Sequence, residues 1–280
     1  EIDIPFEVDS KGNIYNISHN DKPMLSAHMD TVQDYDDTLF AKFIEIKDGI
    51  INGYGVIGGD DKCGIYAILD LLTNGHRDIN FCFTVEEEIG GIGSEYFEAN
   101  NDLTHMSYCL VLDRMGSDDI LCSGYHDYGT QEFEDVLVEM GKDYGYGVGH
   151  GTFCDADYFS NQLSCANISC GYYNAHSKHE FVVLADLQNC INYVHSVIKN
   201  IDMKFEAPYS CVSHSTSYKG KITNYNDDYE WMDEYDWMDE FDDIQNKLDG
   251  DKVTYPNGKD KRKSQAATMS NADESYCELC

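Results

Sequence analysis

The feature that most constrains the fold is a set of short, almost continuously apolar runs. They are "INFCFTVEE" at residues 79–87, "MSYCLVLD" at 106–113 and "CANISCGYY" at 165–173. Runs of this length without polar alternation are typical of strands buried on both faces of a mostly parallel sheet. Two further segments, "GNIYNIS" at 12–18 and "PMLSAHMD" at 23–30, also predict strands.

Helical patterns separate these runs. The segment "CGIYAILDLLTNG" at 63–75 carries apolar residues at the spacing i, i+3, i+4 and i+7 and ends in glycine, which predicts an amphipathic helix. Residues 131–144 and 184–201 predict further helices, and 43–53 predicts a hairpin that turns at Asp48-Gly49. Strands that alternate with helices predict a three-layer α/β/α sandwich with a mostly parallel mixed sheet. We assign residues 1–205 to this domain.

The pattern fails beyond residue 206. Residues 229–240 repeat a hexapeptide, "YEWMDE" then "YDWMDE", which contains both tryptophans of the chain. Because such a charged segment cannot bury enough apolar surface, we predict a disordered acidic tail over 206–280. The alternative is a linear motif whose aromatic residues dock into a basic protein partner.

Composition excludes several classes of function. The 280 residues include 52 acidic and 19 basic side chains, a formal charge of −33, which argues against binding to nucleic acid or anionic membranes. Eleven cysteines lack a paired spacing, which predicts a reduced, cytoplasmic protein. The sequence shows no signal peptide and no apolar stretch near the roughly 20 residues of a membrane span. It begins without Met, consistent with a missing N-terminal piece.

Five predicted strand or turn ends carry residues that bind metals. The residues are His28 and Asp30, Asp60 and Asp61, the run Glu86 to Glu88, Asp113, and finally His176. In a parallel sheet, functional groups gather at the carboxyl ends of strands. Mixed imidazole and carboxylate ligation indicates Zn²⁺, with Mn²⁺ or Co²⁺ as possible substitutes. The donors are too many for one tetrahedral ion, and they suit two ions about 3.5–4 Å apart with one bridging carboxylate.

The motifs behind these residues resemble a known clan. The order His-x-Asp, Gly-x-Asp-Asp-Lys, Glu-Glu-x-Gly-x-x-Gly, strand-end Asp and late His resembles the co-catalytic zinc exopeptidases. "SAHMDTV", "GGDDKCG" and "EEIGGIG" are most similar to the peptidase T and zinc carboxypeptidase branch. That branch inserts a lid, or dimerisation, domain between the last two ligands. Here only residues 114–175 lie there, so the architecture is closer to single-domain zinc aminopeptidases.

The resemblance implies a role for each residue. One zinc ion would bind His28, Asp60 and Asp113, and the other Asp60, Glu88 and His176, with Asp60 bridging. Glu87 would be the general base for a water that bridges the two ions, and Asp30 would orient a ligand histidine. Asp61 is expected to be structural.

Two further positions remain as candidates. Asp155 could support His176 or bind a substrate amine, and helix capping is its structural alternative. His179, like Glu180 beside it, is expected at the surface or behind the ligands.

The resulting prediction is an aminopeptidase that acts on short peptides. A deacylase, another amidohydrolase or a carboxypeptidase with the same metal pair is the first alternative, although only Arg114 among the few arginines lies near the site. The second alternative is an inactive metal-binding scaffold that acts through the acidic tail.

Overall fold

The computed structural model describes residues 4–32, 40–41, 43–53, 55–151 and 153–208. The described residues all belong to one compact unit, and residues 220–280 lie outside them. From residue 209 onward the predicted acidic tail, with its hexapeptide repeat, also lies outside them, so its disorder and its partner stay predictions.

Within the described residues, twelve strands form two sheets. In chain order they are β1 (Glu7–Val8), β2 (Ile14–Asn16), β3 (Met24–His28), β4 (Glu45–Lys47), β5 (Ile50–Asn52), β6 (Asn80–Thr84), β7 (Cys109–Arg114), β8 (Asp119–Leu121), β9 (Gly147–Val148), β10 (Cys165–Ser169), β11 (Tyr172–Tyr173) and β12 (Phe181–Val183). The larger sheet has eight strands in the order β1-β2-β6-β3-β7-β10-β8-β9. Its central strands β6, β3, β7 and β10 run parallel, so their carboxyl ends lie at one edge.

The smaller sheet is antiparallel and has four strands, in the order β11-β12-β5-β4. The turn between β4 and β5 has only two residues, Asp48 and Gly49, both with positive φ (51° and 86°). Positive φ at both positions is the type I′ geometry that a two-residue hairpin favours. The predicted hairpin and its turn are therefore confirmed.

In the part of the chain that the structure describes, five helices cover the larger sheet. They are α1 (Gly59–Thr73), α2 (Ile92–Asn100), α3 (Gln131–Gly141), α4 (Ala156–Phe159) and α5 (Leu184–Asn200), with a short 3₁₀ turn at Lys142–Tyr144. Helices α1, α3 and α5 share one apolar core, and α2 and α4 share a second core on the other face of the sheet. Strand β7 contributes Leu110 and Leu112 to the first core and Cys109 and Val111 to the second. A strand buried on both faces explains the continuous apolar runs.

The fold class expected from the sequence, an α/β/α sandwich with a mostly parallel mixed sheet, is confirmed. One local prediction is wrong. The run 165–173 is not one strand: it divides into β10 and β11, and Gly171 between them has a φ of 93°. In the run 79–87 the strand ends at Thr84, and Glu86 already adopts a left-handed conformation (φ 59°), so the chain has left strand geometry by Glu87. Within the described residues, no helix has the length and apolar character that crossing a membrane requires.

Candidate metal centre and active site

The carboxyl edge of the parallel strands gathers most of the predicted ligands. His28 is the last residue of β3, Asp113 is the fifth residue of β7, and Glu88 follows β6 by four residues. Because β6, β3 and β7 are neighbours in the sheet, these side chains converge. Asp60 joins them from the start of α1, and His176 joins from the loop between β11 and β12.

Asp60 lies at the centre of the cluster. Its Oδ1 lies 2.9 Å from Nε2 of His28, and its Oδ2 lies 3.1 Å from Nε2 of His176. His176 Nε2 is also 2.9 Å from Oε2 of Glu88. The two oxygens of one carboxylate therefore face two different groups of donors.

Asp113 and Glu87 complete the cluster around His28. Oδ1 of Asp113 lies 3.6 Å from Nε2 of His28 and accepts a hydrogen bond from the Tyr172 hydroxyl at 3.1 Å. Two groups each have ligand atoms within 4.8 Å of one another: His28 with Glu87 and Asp113, and His28 with Asp60 and Glu88. Glu87 is thus close enough to be either a ligand or a base.

Other carboxylates hold the backbone that carries these side chains. Asp61, fully buried, accepts hydrogen bonds from the backbone N–H of His28 and of Gly64. Asp30 accepts from the backbone N–H of Glu87 and of Glu88 at 3.1 and 3.2 Å. Its Oδ1 also lies 3.4 Å from Nδ1 of His28, the separation of an ion pair rather than of an aligned hydrogen bond.

A second support comes from the smaller sheet. Glu180, buried just before β12, accepts hydrogen bonds from the backbone N–H of Ile57 and Gly58 through Oε2 and of Asp60 through Oε1. The peptide bond between Asp60 and Asp61 is cis. Regular helix geometry in α1 begins only after these two residues, which leaves the Asp60 side chain directed at the cluster.

In this cluster, burial and the charges of neighbouring groups shift the pKa values of several residues. Burial alone would lower the pKa of His28, but the facing carboxylates, Asp113 foremost, outweigh it and hold that pKa well above its ordinary value. Burial disfavours the ionised form of Asp60, yet the two imidazoles hold the Asp60 pKa far below its usual range. Burial, with the charge of neighbouring carboxylates, raises the pKa of Glu87 to about 10. Excess buried negative charge of this kind is what a bound cation relieves.

Two observations indicate that the residues of the cluster fit a bound divalent cation. Oε1 of Glu88 is buried and makes no hydrogen bond with any described residue. Among the described ion pairs, the carboxylates of Asp30, Asp60, Glu88 and Asp113 share only the two imidazoles as cationic partners. Since the His176 side chain is 43 % exposed, the cluster is open to solvent on that side.

Two predicted positions, Asp155 and His179, lie apart from the donors. Asp155 occupies the N-cap position of α4 but makes no capping bond, so the capping alternative is wrong. Its Oδ2 instead accepts from the Thr84 hydroxyl, and its side chain is buried. The backbone N–H of His179 donates to Ser177, and its ring belongs to neither donor group.

The sequence did not predict that Glu180 and Tyr172 hydrogen-bond to residues of the cluster. Glu180, expected at the surface or behind the ligands, is 1 % exposed and fixes the backbone of Asp60. Tyr172, which packing alone would explain, donates to Asp113. A strand-end motif signals neither role, because both partners are distant in the sequence.

A sandwich whose strand ends gather imidazoles and carboxylates in one cluster fits a metal-dependent hydrolase. The chain belongs to peptidase family M20/M25/M40, whose model matches residues 24–200, and it is therefore a metallopeptidase. The predicted resemblance to the co-catalytic zinc exopeptidase clan is thereby confirmed. A search of curated proteins found no match.

Solved structures share the fold at low identity. The TET1 peptidase of Pyrococcus horikoshii is 14 % identical with a TM-score of 0.56, and the alignment covers 71 % of this chain and 90 % of that one. Aminopeptidase PepT of Bacillus cereus is 16 % identical with a TM-score of 0.54, over 70 % and 88 % of the chains. A tripeptidase of Staphylococcus aureus is 15 % identical with a TM-score of 0.56, over 72 % and 89 %.

Proposed function

We propose that this protein is a zinc aminopeptidase that uses two metal ions to remove residues from short peptides. The observation that carries the proposal is the division of the Asp60 carboxylate. One oxygen faces His28 at 2.9 Å, and the other faces His176 at 3.1 Å. A carboxylate shared in this way between two donor groups suits a bridging ligand.

Each ion would have its own set of ligands. His28 and Asp113 would hold one ion, Glu88 and His176 would hold the other, and Asp60 would hold both. When bound, the ions would supply Lewis acidity and would lower the pKa of a coordinated water toward neutrality. Mn²⁺ or Co²⁺ are possible substitutes for this mixed set of imidazole and carboxylate ligands.

Glu87 is proposed as the residue that moves the proton. Its carboxylate would take a proton from the attacking water and deliver it to the nitrogen of the leaving amine. Asp30 supports this role, because it accepts the backbone N–H groups of both Glu87 and Glu88 and so fixes the turn that carries them. The positive φ of Glu86 (59°) turns the chain out of β6 just before these two residues.

The charges near the site favour an amine over a carboxylate at the substrate terminus. Arg114 is the arginine next to the cluster, and both its Nε and its Nη2 lie 3.0 Å from Oδ2 of Asp119. Its Nη2 also donates to the carbonyl of His150. A guanidinium already engaged in this way is poorly available for a peptide C-terminus, whereas the acidic surroundings attract a protonated N-terminus.

The decisive experiment combines metal analysis with a substrate panel. Zinc-loaded protein is assayed on aminoacyl amides, free-C-terminal dipeptides and N-acyl amino acids, and bound zinc is counted by mass spectrometry. We expect two zinc ions per chain and turnover of the aminoacyl amides. Turnover of only the dipeptides or only the acylated substrates would replace the aminopeptidase with a carboxypeptidase or a deacylase. Absence of metal-dependent turnover would leave a metal-binding scaffold.

Variants separate the two roles open to Glu87. Glu87→Gln should keep both zinc ions and lose about 10²- to 10⁴-fold in kcat, the usual contribution of a general base. Loss of zinc in this variant would instead make Glu87 a ligand. Glu86→Gln is the matched control: Glu86 lies in the same acidic run, and its carboxylate pairs with Lys11 at 3.3 Å on the surface. It should leave both zinc content and kcat unchanged.

A further inference from the structure

The β4–β5 hairpin exposes an unusual amount of apolar surface. Phe43, Ile44 and Ile46 are 63 %, 59 % and 67 % exposed. Single exposed apolar side chains are common, but three large ones within four residues of one hairpin favour a surface that another molecule covers. All three residues of β4 itself are exposed, so neither face of this strand packs on the core.

The strand also lies at the open edge of the smaller sheet. Among the described residues β4 pairs only with β5, with Ile46 opposite Ile51 and Lys47 opposite Ile50. A two-residue turn makes Lys47 and Ile50 a hydrogen-bonded pair, and such pairs alternate along an antiparallel ladder. The backbone N–H and C=O of Ile46 therefore point away from β5, toward the open edge. An apolar edge strand whose outward backbone groups pair with no described residue is a template for another strand.

We propose that β4 pairs antiparallel with β4 of a second copy of this chain, about a two-fold axis at Ile46. In this register the outward N–H and C=O of Ile46 bond to those of the second copy's Ile46. The same register places Glu45 opposite Lys47 of the second copy, and Lys47 opposite its Glu45, so that two ion pairs flank the axis. The two four-stranded sheets then form one continuous eight-stranded sheet.

Charge complementarity selects this partner and this register. The formal charge of −33 opposes association of two copies at long range, so the contact must be locally self-complementary. A two-fold axis at Glu45 would place the two Glu45 side chains opposite each other, which is unfavourable. The axis at Ile46 replaces that repulsion with two opposite-charge pairs and brings two exposed isoleucines into contact.

The state of association is measured on the full chain by light scattering and by sedimentation, at an ionic strength of about 0.15 M, where long-range repulsion is screened. We expect a mass of twice the 31.7 kDa of one chain, with a concentration-dependent return to monomer on dilution. Ile46→Lys should be monomeric. Val148→Lys is the matched control, because Val148 is 53 % exposed on β9 at the edge of the other sheet. This control should dimerise like the wild type.

A charge-exchange cycle tests the register and does not depend on the Ile46 variant being folded. Glu45→Lys and Lys47→Glu each create two like-charge contacts and should raise the dissociation constant about tenfold. The double exchange restores both ion pairs and should return the constant to the wild-type value. A wild-type chain that stays monomeric, or a dimer unchanged by Ile46→Lys, would overturn the proposal. A double exchange without recovery would overturn the proposed register.

Discussion

The position of Asp60 depends on the buried carboxylate of Glu180, and replacing that carboxylate tests the dependence. Glu180 is 1 % exposed and accepts three backbone N–H groups, at 2.6 Å from Ile57, 2.9 Å from Gly58 and 3.0 Å from Asp60. In Glu180→Gln, the amide oxygen can keep accepting from Ile57 and Gly58, which share one oxygen of the carboxylate. The new amide group then faces the N–H of Asp60 with a donor.

The expected loss of stability follows from these contacts. One hydrogen bond to a charged group is lost, worth about 1.5–3 kcal/mol, and the other two are now made to a neutral oxygen. Burial raises the pKa of Glu180, so the carboxylate is itself costly to bury, and a neutral amide recovers part of that cost. We therefore expect the free energy of unfolding to fall by about 1–3 kcal/mol. Since Asp60 is held less firmly, zinc affinity should fall as well, by about 10- to 100-fold.

The assay is equilibrium unfolding in urea with a chelator present, so that metal binding does not contribute. Zinc affinity is measured separately by competition with a chromogenic chelator. Glu132→Gln is the matched control, because Glu132 is exposed in the first turn of α3 and should change stability by no more than about 0.5 kcal/mol. If Glu180→Gln unfolded at the same urea concentration as the control and bound zinc equally well, the proposed support of Asp60 would be refuted.

Three further substitutions test the candidate metal centre, the first turn of helix α2 and the apolar core. Asp60→Asn should reduce the bound zinc from two ions to at most one and abolish metal-dependent turnover, as measured by metal analysis and assay; two retained ions would contradict the bridging role. Gly93→Ala should lower stability by about 3 kcal/mol, because its Cβ would collide with the carbonyl oxygen of Val85, whereas Gly147→Ala meets no atom within 4 Å and should be tolerated in the same thermal melt. Phe133→Ala, at a fully buried position, should lower the unfolding free energy by about 3–5 kcal/mol in denaturant titrations without changing the zinc content of the folded protein.

The sequence predicted the layers of the fold because each layer leaves a local signal. Continuous apolar runs marked β6 and β7, and the spacing of apolar residues marked α1. The exact strand ends were less predictable. Glu86 has a left-handed backbone (φ 59°), which a residue other than glycine seldom adopts, so the identity of this residue does not predict it.

The predicted donors could be found because they follow strands directly. His28 and Asp113 are at strand ends, so the topology of a parallel sheet brings them together without further information. Glu180 and Tyr172 could not be assigned in this way. Their partners, Asp60 and Asp113, are 120 and 59 residues away, and only the assembled smaller sheet brings them into contact.

The hydrogen-bond partners of the carboxylates in and around the cluster divide them into two kinds, which the sequence does not distinguish. An ionised carboxylate has about four lone-pair sites and no donor. Asp30, Asp61 and Glu180 use theirs to accept backbone N–H groups, and those bonds fix the chain around the cluster.

The carboxylates of Asp60 and Glu88 accept no backbone N–H group among the described residues, and they face imidazoles instead. One buried oxygen of Glu88 has no hydrogen-bond partner there. Lone pairs left over after the backbone is satisfied are what a cation requires. The neighbours Asp60 and Asp61 thus diverge for a physical reason: Asp61 is committed to the N–H groups of His28 and Gly64, and Asp60 remains available to bind metal.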